Sequence, residues 1–275
     1  MKLILVPIDF SADSINALEH GILFANIIKA DLRMIHVNAN KDFKAPSFFK
    51  DLDDFNGKSV EDYFKLIKYR HQRKLHKNLD YVIKQGNISE EIIQQAEKDK
   101  VGFIIMGTHG LSDSDSHWMG SNAYKVVSNS FCPVLTIRNG FIRKTVTKIV
   151  LPIDASKNTR RKLTTTAKIA KVYDAEIHVI GVTETGMKDI LQKVESWVKQ
   201  SVEYLNKSKI KNKSLMVQGS DITAMTIDYA KSINADLISI MTEQGEDAVS
   251  LLLSPYAQQM VNNSPIPVLT IRNNK

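Results

Sequence analysis

Lys2-Leu3-Ile4-Leu5-Val6-Pro7-Ile8-Asp9 opens the chain, and Lys148-Ile149-Val150-Leu151-Pro152-Ile153-Asp154 repeats it with few changes. A second marker is stricter. Pro133-Val134-Leu135-Thr136-Ile137-Arg138-Asn139 recurs without a change at residues 267–273. Markers repeated in the same order signal two copies of one structural unit. The offset is 145 from Asp9 to Asp154 and 134 from Pro133 to Pro267. The first copy therefore carries about 11 extra residues. Their place is 39–57, an irregular stretch with Pro46 and Gly57. This divides the 275 residues into domains 1–144 and 145–275, with the boundary near 139–147.

Each copy alternates short apolar runs with helical patterns. In the first, the runs are 3–8, 32–37, 79–84, 102–106 and 133–138. Helical patterns lie near 12–30, 58–77, 88–99 and 121–130, with Ser11 and Ser89 as expected N-caps. The second copy places its runs at 148–153, 176–182, 214–217, 236–241 and 267–272. Unbroken apolar strands separated by helices predict an α/β fold. It has two tandem open parallel five-stranded sheets, each covered by helices on both faces. Ligands of such sheets bind beyond the C-terminal strand ends, where strand order reverses.

Composition narrows the class. Hydrophobic residues are 43% and charged residues 24%, which is ordinary for a globular chain and excludes wholesale disorder. The net charge of +7 is spread over both halves, so no basic tail stands out. The single cysteine, Cys132, forms no intramolecular disulfide, and its setting before Pro133 reads as packing rather than nucleophile. No stretch reaches the roughly 20 apolar residues of a membrane helix, and the N-terminal apolar run is too short for a signal peptide. A soluble, cytoplasmic protein is expected.

The chemistry-bearing motif follows the fourth apolar run. Met106-Gly107 is followed by Thr108-His109-Gly110, a nine-residue loop, and Gly120-Ser121-Asn122 at a helix start. The pattern is G-x2-G-x9-G-S. Glycines admit phosphate oxygens close to backbone N–H groups. A helix start adds unpaired N–H groups and a favourable dipole, and the Ser121 hydroxyl adds a donor.

These segments resemble the universal stress protein family. The P-I-D-x-S opening, Met106-Gly107-Thr108-His109-Gly110, the Gly120-Ser121 helix start and the C-P-V-L-T-I ending match it in order, over nearly the whole chain. The resemblance implies strand order 3-2-1-4-5 in each domain. It also implies pairing of domains through their last strands, so the two copies would form an internal pseudo-dimer, open to further homodimerisation. It assigns phosphates and ribose to Gly107, Gly110, Gly120 and Ser121, with Met106, His109 and Asn122 beside them. Asp9 would face base and ribose, and the backbone of Val37 would recognise adenine. Pro7, Phe10 and Ser11 would line the same crevice. The ligand implied is ATP, or ADP or AMP. Asp113 and Asp115 in the loop read either as solvated carboxylates or as a reason for Mg²⁺ to accompany the nucleotide.

Aligning the closing markers sets Met241 opposite Gly107, Gln244 opposite Gly110, Ser254 opposite Gly120 and Pro255 opposite Ser121. The second copy keeps Asp154 and Val182 but loses the glycines, and Pro255 has no N–H to give. No tight ATP site is expected there. Residues 65–77 form a basic run whose Phe64, Ile67, Leu75 and Leu79 suggest one buried stripe and a solvated basic face. No nucleic-acid module accompanies it, and a nucleic-acid partner is not expected. Trp118 and Trp197 read as packing residues, and His117 as a surface side chain or a phosphate contact. No Walker sequence, G-x-S-x-G elbow or zinc-type Cys/His spacing appears, so no catalytic or metal-ligating residue is assigned. The sequence thus predicts a regulatory adenine-nucleotide-binding protein of the stress response, acting on an unidentified protein partner. A nucleotide-independent scaffold and a weak ATPase are the rival readings.

Overall fold

A computed structural model describes residues 3–38, 59–109, 119–138, 140–141, 145–242 and 253–272. The extra stretch 39–57, Gly110, Asp113, Asp115, His117, Trp118 and Gln244 lie outside the described residues. The chain divides into two compact units, residues 1–140 and 141–275.

In the first unit, β1 (Leu3–Pro7), β2 (Asp31–Asn38), β3 (Leu79–Gln85), β4 (Phe103–Gly107) and β5 (Val134–Ile137) alternate with helices. The sheet order is β3-β2-β1-β4-β5, and the pairings of β1 with β2 and β4 are parallel. Leu5, Val6, Ile104 and Ile105 are fully buried, as expected of strands covered on both faces. The helices are α1 (Ala12–Ile28), α2 (Val60–His71), α3 (Ile88–Lys98) and α4 (Ser121–Asn129). Ser11 caps α1 by accepting a hydrogen bond from the Ser14 amide at 3.1 Å. Ser89 does not cap α3. Asn87 does, two residues earlier, and its amide oxygen also accepts the Ser89 hydroxyl at 2.9 Å. Both residue types cap well, so the chain's entry angle decides between them.

In the second unit the strands are β6 (Lys148–Ile153), β7 (Glu176–Thr183), β8 (Asn212–Gln218), β9 (Leu237–Met241) and β10 (Val268–Ile271). Their order, β8-β7-β6-β9-β10, repeats that of the first unit. The helices are α5 (Leu163–Tyr173), α6 (Lys188–Lys207), α7 (Ile222–Ser232) and α8 (Pro255–Asn263). Trp197 is half-buried on α6, with the Arg160 guanidinium 4.9 Å and the Lys193 amine 4.8 Å from its ring centre. Cys132 is buried, and that burial pushes its thiol pKa up, which suits packing and not attack.

Candidate functional site

Strand order reverses at β1, whose neighbours β2 and β4 continue the chain in opposite directions across the sheet. A crevice opens at the C-terminal ends of these three strands. Pro7 at the end of β1 and Asp9 just past it line the crevice, with Val37 from β2, Met106 and Gly107 from β4, and His109 just past β4. Gly120 and Asn122 close it from the start of α4. Eight of the twelve sequence-assigned residues thus meet in one place.

Local bonds fix this geometry. The Asp9 carboxylate accepts the Ser11 amide at 3.0 Å and the Ser11 hydroxyl at 2.6 Å. Pairing of β1 with β2 ends at Pro7 opposite Ile35, so Val37 lies two residues past the shared ladder. Its backbone edge on that side is not taken up by β1. The Gly120 amide donates to the Thr108 carbonyl at 2.9 Å, which ties the start of α4 to the end of β4. No side chain caps α4, because its N-cap is Gly120. The first-turn amides therefore point their dipole into the crevice without an internal partner from a cap. His109 adds a second open group. Its Nδ1 meets the Thr108 hydroxyl at 2.8 Å, while Nε2 is buried with no hydrogen-bond partner. A buried unpaired ring nitrogen costs free energy that a ligand oxygen would recover.

Three assigned residues sit elsewhere. Phe10 adopts a left-handed backbone (φ 65°), which turns its ring away from the crevice and into the core, where it is 1% exposed. There it lies 5.1 Å from His36, 5.7 Å from Tyr63 and 5.4 Å from Phe64, centre to centre. Ser11 is buried and committed to Asp9 and to the α1 cap. Ser121 is exposed and does not line the crevice. Gly107 lines it, but its need for glycine has another cause. A Cβ there would stand 2.9 Å from Asp13 Cβ and 3.0 Å from the Asp13 carbonyl carbon. The glycine lets α1 approach β4.

The second unit keeps the frame and fills the crevice. Ser156 bonds Asp154 through amide (3.0 Å) and hydroxyl (2.5 Å), as Ser11 bonds Asp9. The Ser254 amide donates to the Thr242 carbonyl at 3.0 Å, as Gly120 does to Thr108. Here, however, the Ser254 hydroxyl accepts the Ala257 amide and Pro255 stands at the first helical position, so one first-turn amide of α8 is spent and another is missing. Lys162, Met241 and Tyr256 line the space. By the two offsets they replace Ala17, Gly107 and Asn122. The free volume falls from about 120 Å³ to about 10 Å³. The smaller figure accommodates about one water. The Lys162 amine is 3% exposed and bonds the Thr159 hydroxyl at 3.2 Å. Burial pulls its pKa down to about 8, against the attraction of Asp154. Sequence reasoning missed Lys162. A lysine at a position where the first copy carries a fully buried alanine was the available signal.

Comparison with known proteins agrees with this duplicated architecture. A profile described as the Universal stress protein family matches residues 1–138 and again 145–272. A universal stress protein of Methanocaldococcus jannaschii is 28% identical over 153 residues, covering 50% of this chain and 94% of its own. One from Thermus aquaticus is 42% identical over 59 residues, 22% of this chain and 43% of that protein. A solved universal stress protein from Archaeoglobus fulgidus shares the fold, with a TM-score of 0.76 at 17% identity over 99% of this chain and 97% of that one. Two matches to one family, each spanning one of the two similar sheets, leave a single reading: the chain belongs to the universal stress protein family and carries its domain twice in tandem.

Proposed function

We propose that the first unit binds ATP, or a close adenine nucleotide, and that the second unit does not. The observation that carries this reading is the uncapped start of α4 facing an open crevice, beside a second copy in which the same helix start is capped and the crevice filled. The α4 amides would receive phosphate oxygens. In the tautomer where the Thr108 hydroxyl donates to Nδ1, His109 Nε2 carries a proton toward the same oxygens. Asp9 would hold the ribose, and the open edge of Val37 the adenine. Glycine at 110 and the carboxylates Asp113 and Asp115 would complete the phosphate end, with Mg²⁺ offsetting their charge. The protein would then report nucleotide status to a protein partner in the stress response, through the segment that joins β4 to α4.

Gly120→Val tests the phosphate assignment. Gly120 has φ −55° and ψ 145°, a conformation open to any residue, so the fold should persist. The expected result is ATP affinity at least tenfold weaker, about 1.4 kcal/mol, with an unchanged circular dichroism spectrum. GTP should bind the unmodified protein more weakly than ATP. Equal binding of ATP by Gly120→Val would remove α4 from the site. Equal binding of GTP would remove the adenine assignment to Val37.

A further inference from the structure

The basic run 65–77 is not consumed by the fold or by the crevice. It forms most of α2 and the 3-10 turn Gln72–Lys74 that follows. Phe64, Ile67 and Leu75 are buried, and His71 is buried with its pKa lowered, so none of these faces outward. The outward face carries Lys65, Tyr69, Arg70, Arg73 and Lys74, all exposed. Residues four apart on an α-helix share a face, so Lys65 and Tyr69 lie together on α2, with Arg70 next to Tyr69 and with Arg73 and Lys74 exposed on the turn that follows. No Asp or Glu occurs between Asp62 and Asp80. Among the described residues, the one ion pair on this face is Lys74–Glu19 at 4.0 Å, between exposed groups, a geometry that contributes little.

The second copy supplies an internal control. Its corresponding helix, α6, interleaves Asp189, Glu195 and Glu203 with its lysines. In α2 the acids, Glu61 and Asp62, are confined to the first turn, whereas α6 carries them along its length. The most exposed ring of α6, Tyr204, is 38% exposed. Tyr69 is 76% exposed, more than any other large apolar or aromatic side chain described.

We propose that this face binds single-stranded nucleic acid, independently of the crevice. Four cations would neutralise backbone phosphates, and the Tyr69 ring between them would stack on a base. A duplex hides its base faces, so stacking selects a single strand. A protein partner fits less well. A stable protein interface needs an apolar centre within roughly 1,000 Å² or more, and here one ring stands among charges. The sequence shows the charges, but Tyr69 becomes a stacking platform only once its exposure is known.

The test is fluorescence anisotropy of a labelled 20-nucleotide oligouridylate with the full chain, at several salt concentrations. Micromolar binding is expected, with a log–log salt slope of about −3 for four neutralised phosphates. Tyr69→Ala should weaken binding at least fivefold without changing that slope. Arg70→Glu with Arg73→Glu should abolish binding. ATP affinity should be unchanged in all of these variants. Absence of binding would overturn the proposal, as would full affinity in Tyr69→Ala. Equal competition by a DNA duplex, by polyglutamate or by phosphatidylserine vesicles would instead show a surface for anions in general or for another class of partner.

Discussion

Phe10→Ala is expected to destabilise the first unit by about 3–5 kcal/mol, the usual cost of emptying a buried aromatic site. The ring is almost fully enclosed and packs on His36, Tyr63 and Phe64 from β2 and α2. Alanine would leave a cavity among those three and would still have to adopt φ near 65°. No relief of backbone strain offsets the loss. Denaturant unfolding gives the magnitude, and hydrogen exchange in β1 and β4 assigns it to the first unit. ATP binding should survive under conditions where the variant remains folded. Unchanged stability with lost binding would return Phe10 to the crevice.

Lys162→Met is expected to act in the opposite sense and stabilise the second unit by about 1–3 kcal/mol at pH 7. Methionine has a similar length and leaves the closed crevice filled. The lysine is charged at pH 7 in both states, but its folded pKa of about 8 lies below the unfolded value near 10.4. The difference corresponds to roughly 3 kcal/mol of penalty on the buried ammonium, less about 1 kcal/mol or more for the bonds to Thr159 that methionine cannot make. The pH dependence follows from the same shift. As pH falls from about 10.4 to about 8, the unfolded chain takes up the proton first, so the unmodified protein loses stability over that window. The variant lacks this slope. Its advantage should be full below pH 8 and should shrink as pH rises toward 10.4. Unfolding of Trp118→Phe protein, in which Trp197 is the one tryptophan and is excited selectively over the tyrosines, reads the second unit. A variant less stable at pH 7, or a gap that does not change with pH, would contradict the account.

Much of the architecture was legible because it rests on periodicity. The continuous apolar strands, the repeat of Asp9 at Asp154 and the identical Pro133 and Pro267 segments define both sheets without reference to side-chain direction. The outline of the crevice was legible for the same reason, since strand ends and a helix start place Asp9, Val37 and Gly120 together. What escaped the sequence depends on direction and on contacts distant in the chain. The positive φ at Phe10 reverses where its ring points. Gly107 answers to the approach of Asp13 on α1, a contact no spacing rule reports. Loss of glycines predicted an inactive second copy, but its closure by Lys162 and Tyr256 follows from how α5 and α8 pack on the strand ends. The N-cap of α3 moved from Ser89 to Asn87 because two good capping residues stood within one turn.

Isothermal titration of the full chain with ATP and Mg²⁺ counts the sites directly. One site per chain is expected, lost or strongly weakened in Gly120→Val. Two sites per chain would show that Lys162 and Tyr256 do not close the second crevice, and no binding, confirmed by equilibrium dialysis of ligand-free protein, would remove nucleotide binding from the first.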